Sequence, residues 1–172
     1  MKQDAGYVIE FSGLDNGNYT FGFPISDSFF SQLDYSEIRK GKLEVDVVLE
    51  RGTHALLLNF HIKGTVHILC DHCAEYFDLD VEGSPHLIVK LGDTRREDSD
   101  EEITIPESDS EIDLRQYIYE FISLLIPYRR VHPGKSEDIP GCSNDVLDKL
   151  APPEEQYEAD DPRWNKLKNL KF

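Results

Sequence analysis

The stretch LEVDVVLERGTHALLLNFHIKGTVHIL, residues 43–69, decides the fold. Leu43, Val45, Val47 and Leu49 alternate with Glu44, Asp46 and Val48, which places the four odd-numbered side chains on one face. A period of two with one apolar face is the mark of a half-buried strand. Arg51-Gly52 then reads as a turn, and Leu56, Leu58, Phe60 and Ile62 repeat the alternation. Lys63-Gly64 reads as a second turn, with residues 65–69 returning as a third strand. Phe77, Leu79 and Val81 mark a fourth, and Leu87, Val89 and Leu91 a fifth. Consecutive strands joined by short turns predict an antiparallel meander.

Upstream, aromatic runs at residues 7–11 and 19–23 flank Asp15-Asn16-Gly17-Asn18, whose side chains favour a turn. Ser26 or Asp27 is placed to cap a short helix running toward Leu33 or Ile38. Downstream the composition changes. Residues 93–113 hold ten acidic and two basic side chains, Arg95 and Arg96. The first part reads as a solvated, mobile loop, with Glu102-Ile103-Thr104-Ile105 pairing briefly as an edge strand. Ser110-x-x-Asp113 resembles a capping box, and Leu114, Ile118, Phe121, Ile122 and Leu125 share one helical face. The predicted helix spans residues 111–126 and ends at Pro127, which has no N–H to donate. It is expected to cover the sheet.

Beyond Tyr128 the chain becomes irregular, with a short helix expected over residues 144–150. An acidic linker begins at Pro152-Pro153-Glu154-Glu155. Residues 162–172 contain Arg163, Lys166, Lys168 and Lys171 and no acid, with Trp164, Leu167 and Leu170 three apart. This short basic amphipathic segment suits either docking onto the chain's own acidic surface or a partner.

The length of 172 residues fits one domain with a real core, and 39% hydrophobic against 30% charged residues fits a globular chain. No run approaches the roughly 20 apolar residues of a membrane helix. Met1-Lys2-Gln3-Asp4 lacks an apolar signal core, so a cytoplasmic location is expected. A net charge of -16 argues against wholesale nucleic-acid binding, because phosphates repel an acidic surface, and favours a basic protein partner.

Three cysteines without a signal peptide argue against a disulfide scaffold. Cys70-Asp71-His72-Cys73 is a C-x-x-C at a strand end. Thioredoxin-like redox pairs open a helix after a parallel strand, and no such pattern surrounds this one. Two thiolates two residues apart can instead hold one zinc ion from a knuckle turn, and a closed site needs about four ligands. Cys142, in Pro140-Gly141-Cys142, and His132 would complete a set of three cysteines and one histidine, with His72 as a substitute. Small reduced thiols packed at a strand end explain the motif equally well. His54, His61 and His67 alternate with apolar residues and read as polar strand faces. No nucleophile elbow, phosphate loop or dinucleotide fingerprint is present, so no catalytic residue is nominated.

The order of these features resembles a known family. Val66-His67-Ile68-Leu69-Cys70-Asp71-His72-Cys73 closes a β meander. Glu111-Ile112-Asp113-Leu114 leads into the helix, which exits at Leu124-Leu125-Ile126-Pro127. His132 and Cys142 follow, and Asp161-Pro162-Arg163-Trp164-x-x-Leu167-x-x-Leu170 closes the chain. Over roughly residues 40–172 this is similar to the bacterial YceD family, the large ribosomal RNA subunit accumulation proteins. The resemblance implies a cytosolic, non-enzymatic role in accumulation of large-subunit ribosomal RNA. It also supports Cys70, Cys73, His132 and Cys142 as a metal set, for which the residue types suggest zinc.

The expected architecture is α+β: an antiparallel, twisted or barrel-like sheet, one long covering helix and an extended C-terminal tail. Residues 1–150 form a single domain with an acidic loop near 93–110, and residues 151–172 form the acidic linker and basic tail. The expected function is ribosome biogenesis, through a basic ribosomal protein or a large-subunit precursor particle. Limited RNA contact falls to Arg163, Trp164, Lys166 and Lys168, and no membrane is involved. A thiol-dependent enzyme using Cys70 and Cys73, or a structural zinc module with an unrelated partner, are the alternatives.

Overall fold

A computed structural model describes residues 6–132. Its elements in chain order are β1 (Val8–Glu10), β2 (Gly17–Ile25), α1 (Asp27–Ser31), β3 (Lys40–Arg51), β4 (Ala55–Leu69), β5 (Tyr76–Gly83), β6 (His86–Gly92), β7 (Arg96–Ser99), β8 (Glu102–Pro106), β9 (Glu111–Asp113) and α2 (Arg115–Leu125). The alternation that opens the sequence holds: Leu43, Val45, Val47 and Leu49 on β3, and Leu56, Leu58, Phe60 and Ile62 on β4, are all buried. Strands β2, β3 and β4 pair antiparallel in succession.

The turn expected at Lys63-Gly64 does not form. Strand β4 runs through it for 15 residues. Gly64 has φ +152, and a Cβ there would lie 2.3 Å from the Lys42 carbonyl oxygen. The glycine therefore serves close approach of two backbones inside the sheet, not reversal of the chain. Along its second edge β4 changes partner, pairing with β6 over Ala55 to Asn59 and with β5 over Ile62 to Leu69. The pairs Asn59 with His86 and Ile62 with Gly83 keep one register. Strands β5 and β6 are thus a single traverse broken at Ser84-Pro85, where the proline has no N–H to give the ladder. Its carbonyl still accepts a bond from the Phe60 N–H at 2.9 Å.

The sheet is mixed and open, whereas the expectation was an antiparallel, twisted or barrel-like sheet. Its path runs β2-β3-β4-β6-β8-β7, with β5 beside β4, and β8 pairs β6 in parallel. The acidic segment is correspondingly folded. Strands β7 and β8 form an antiparallel hairpin, and β8 lies between β6 and β7 instead of at an edge. Ile103, Thr104 and Ile105 are buried, and these three β-branched residues outweigh the charges around them.

The covering helix is also shorter than expected. Residues 111–113 form β9, which pairs with β1 in a separate two-stranded sheet. Ile112 is buried opposite Ile9, and the Leu114 N–H donates to the Tyr7 carbonyl at 2.7 Å, so pairing with β1 claims the residues expected to open the helix. Asp113 Oδ1 instead accepts the Arg115 N–H at 2.9 Å. Helix α2 then has 11 residues and buries Ile118, Phe121 and Ile122. Phe121 meets Phe60 edge-on at 4.9 Å. Gly83 lets the helix end close onto β5, since a Cβ there would fall 2.2 Å from Leu125 Cδ2. A second helix, α1, is five residues long and buries Phe29 and Phe30. No helix among the described residues is long and apolar enough to cross a membrane. The helix expected over 144–150 and the linker and tail of 151–172 lie outside the described residues.

Candidate metal centre

Residues 70–75 join β4 to β5 by a tight knuckle. The Cys70 N–H donates to the Glu75 carbonyl at 2.9 Å, and the Ala74 N–H donates back to the Cys70 carbonyl at 3.0 Å. Closing so short a loop requires Ala74 to take φ 57, and it is the one non-glycine residue with positive φ among those described. The turn sends both thiols inward: Cys70 and Cys73 are each 1% exposed, with no disulfide between them. The His72 N–H points at Cys70 Sγ from 3.4 Å.

A second segment is tied to this knuckle. After α2 the chain returns across it, and Asp71 makes the attachment. The Asp71 N–H donates to the Arg130 carbonyl at 2.7 Å, and the Arg130 N–H donates to Asp71 Oδ2 at 2.7 Å. The Arg130 guanidinium lies 3.2 Å from Asp71 Oδ1. These contacts deliver His132, whose ring packs on Phe77 at 4.6 Å. His132 Nδ1 then lies 3.6 Å from Cys73 Sγ, and the donor atoms of Cys70, Cys73 and His132 fall within 4.8 Å of one another. A tetrahedral zinc with sulfur at about 2.3 Å and nitrogen at about 2.05 Å sets those two donors about 3.6 Å apart, so the donor set fits this ion.

The electrostatics favour an anionic sulfur. Burial alone would raise the Cys70 thiol, but backbone N–H groups of Cys73, His72 and His132, together with the Cys73 side chain, bring it down to about 6. A thiolate is the form that binds metal. The Arg130 backbone N–H, against some desolvation and with help from the guanidinium, holds the Asp71 carboxyl below its usual range. The knuckle leads into antiparallel β5 and not into a helix, so the helix N-terminus that activates thioredoxin-type thiols is missing from it.

Of the four residues expected as a metal set, Cys70, Cys73 and His132 are brought together, and Cys142 lies outside the described residues. His72 gives its N–H to Cys70 while its ring Nδ1 is buried without a hydrogen-bond partner, and it is not among the three grouped donors. Arg163, Trp164, Lys166 and Lys168 also lie outside the described residues. His61 bonds Ser84 and His67 bonds Asp78, and neither is among the three grouped donors. Asp71 and Arg130 were missed in the sequence. The one signal was an acid inside the C-x-x-C and two arginines shortly before the histidine.

The model of a protein family described as Large ribosomal RNA subunit accumulation protein YceD matches residues 58–171. No curated protein and no solved structure matches the chain.

Proposed function

The chain belongs to the YceD family, and from that premise we propose that it is a cytoplasmic, non-enzymatic ribosome-biogenesis factor that promotes accumulation of large-subunit ribosomal RNA. The observation that carries this reading is the family match over residues 58–171, which takes in the knuckle, the β7–β8 hairpin and α2. The charge supports a partner class. A net charge of -16 suits a basic ribosomal protein, or a precursor particle that displays one, steered to the acidic residues of 97–102. Direct RNA contact is limited to the basic segment with Arg163, Trp164, Lys166 and Lys168.

Within this reading Cys70, Cys73 and His132 hold a structural zinc, with Cys142 as the fourth ligand. Zinc supplies a closed cross-link there, not a reactive centre. Asp71 orients the segment that carries His132, and Phe77 fixes the imidazole plane.

The test is co-purification of the tagged full chain at low salt, with and without nuclease. Large-subunit proteins should be enriched in both arms, and large-subunit RNA only without nuclease. Recovery of neither, at low salt and with intact particles present, would refute the partner class.

A further inference from the structure

A second feature lies beside α2. A groove of about 650 Å³ runs between α2 and the β7–β8 hairpin. Its floor is apolar, built by Ile103, Tyr117, Phe121 and Leu124. Leu124 is 78% exposed, the most exposed aliphatic side chain among the large hydrophobics of the described residues. Its rim is acidic, with Glu97, Asp98, Asp100 and Glu120. The nearby cations are already engaged: Arg95 pairs with Asp109, and Arg96 with Asp98. Among the described residues no cation pairs with Glu97, Asp100 or Glu120. Burial, and then the Glu97 charge, push the Tyr117 hydroxyl above its ordinary value, against the nearby Arg95.

An apolar floor under an acidic rim fits a basic amphipathic segment. We propose that in the free protein this groove is the docking site for the chain's own residues 162–172, with Trp164, Leu167 and Leu170 on the floor and the cations at the rim. Those eleven residues carry four cations and no acid. Residues 6–132 carry 24 acidic and 11 basic side chains, a balance of 11 − 24 = −13. The reach is ample. The described chain ends at His132, and 29 residues separate it from Pro162. Fully extended they span roughly 100 Å, against a radius of gyration of about 14 Å for a domain of this size. Tethering also raises the effective concentration of the segment to the millimolar range, so modest intrinsic affinity suffices. Docking covers the acidic surface with the chain's own cations, and a more basic partner would have to displace them. The proposal stands without the ribosomal reading, because it concerns the isolated chain.

Trp164 is the one tryptophan, so its fluorescence reads the segment directly. In the full chain its emission should be blue-shifted and shielded from acrylamide, and both properties should be independent of protein concentration. Leu124→Lys, at an exposed site, removes an apolar contact and repels the segment's cations, and should return emission and quenching to those of the unfolded chain. The charge reversal Glu97→Lys with Asp100→Lys and Glu120→Lys should do the same while far-UV circular dichroism stays unchanged. A solvent-like Trp164 in the unmodified chain would overturn the proposal. So would a shielded Trp164 that neither variant releases, or shielding that is lost on dilution, which would place the segment on a second copy.

Discussion

At Asp71 one residue ties two distant segments together through backbone and side chain. It takes the Arg130 N–H and guanidinium while its own N–H holds the Arg130 carbonyl, and His132 follows two residues later. Groups that orient a metal-binding histidine typically affect affinity by about tenfold or more. At the proposed zinc site Asp71→Asn should therefore weaken binding of the ion by about tenfold, measured by competition with a chromophoric chelator, and an unchanged dissociation constant would contradict the positioning role. The pH dependence has a definite sign. The Asp71 carboxyl is depressed in the folded state, so its contribution is fully present above the ordinary carboxylate pKa and is lost as pH falls through the folded value. The Asn variant should lack that part of the acid sensitivity. The closeness of Cys70 and Cys73 was legible at residue level, because cysteine spacing constrains a turn whatever surrounds it, and the structure adds His132 beside them. Asp71 was not, since an acid among 34 carries no distinguishing pattern until a partner 59 residues away is placed beside it.

At the scale of elements, periodicity predicted well where one competing force acted and failed where two did. Strand β3 has one apolar face and one water-facing face, and its alternation translates directly into burial. Gly64 carries a turn signal, but pairing on both edges of β4 overrides it, and the same glycine is needed for close approach. Gly64→Ala should cost about 3 kcal/mol, from backbone strain plus the overlap with Lys42, seen as a lower urea midpoint with unchanged slope. A neutral substitution would mean that β4 bends elsewhere. The helix face was legible from its period, whereas its start was not: residues 111–113 satisfy a cap pattern and a strand pattern alike, and β1, remote in sequence, decides between them. Phe121→Ala should destabilise by about 3–5 kcal/mol, since its ring is 6% exposed and packs edge-on against Phe60. An unchanged thermal melt would contradict the packing of α2 described here.

The whole molecule joins an open mixed sheet to a knuckle that ties down the chain after its second helix. A zinc ion on Cys70, Cys73 and His132 would link the β4–β5 turn to a segment 59 residues later. Closing a loop of that size restricts the unfolded chain by several kcal/mol if the bond behaves as a cross-link. Removing metal with a chelator should lower the melting temperature of the full chain, Cys73→Ser should lower it alike, and the two losses should not add. A melting temperature indifferent to both would leave the thiols as packing groups. The sheet's parallel pair was hidden from the sequence because β8 reaches β6 only after the acidic hairpin reverses, and charge counting gave no hint that Ile103 and Ile105 are buried. The most direct test of the central claim is the ratio of large- to small-subunit ribosomal RNA in the parent organism after the protein is depleted. The ratio should fall and should recover when the unmodified chain is restored; a ratio that stays constant through complete depletion would contradict a role in large-subunit RNA accumulation.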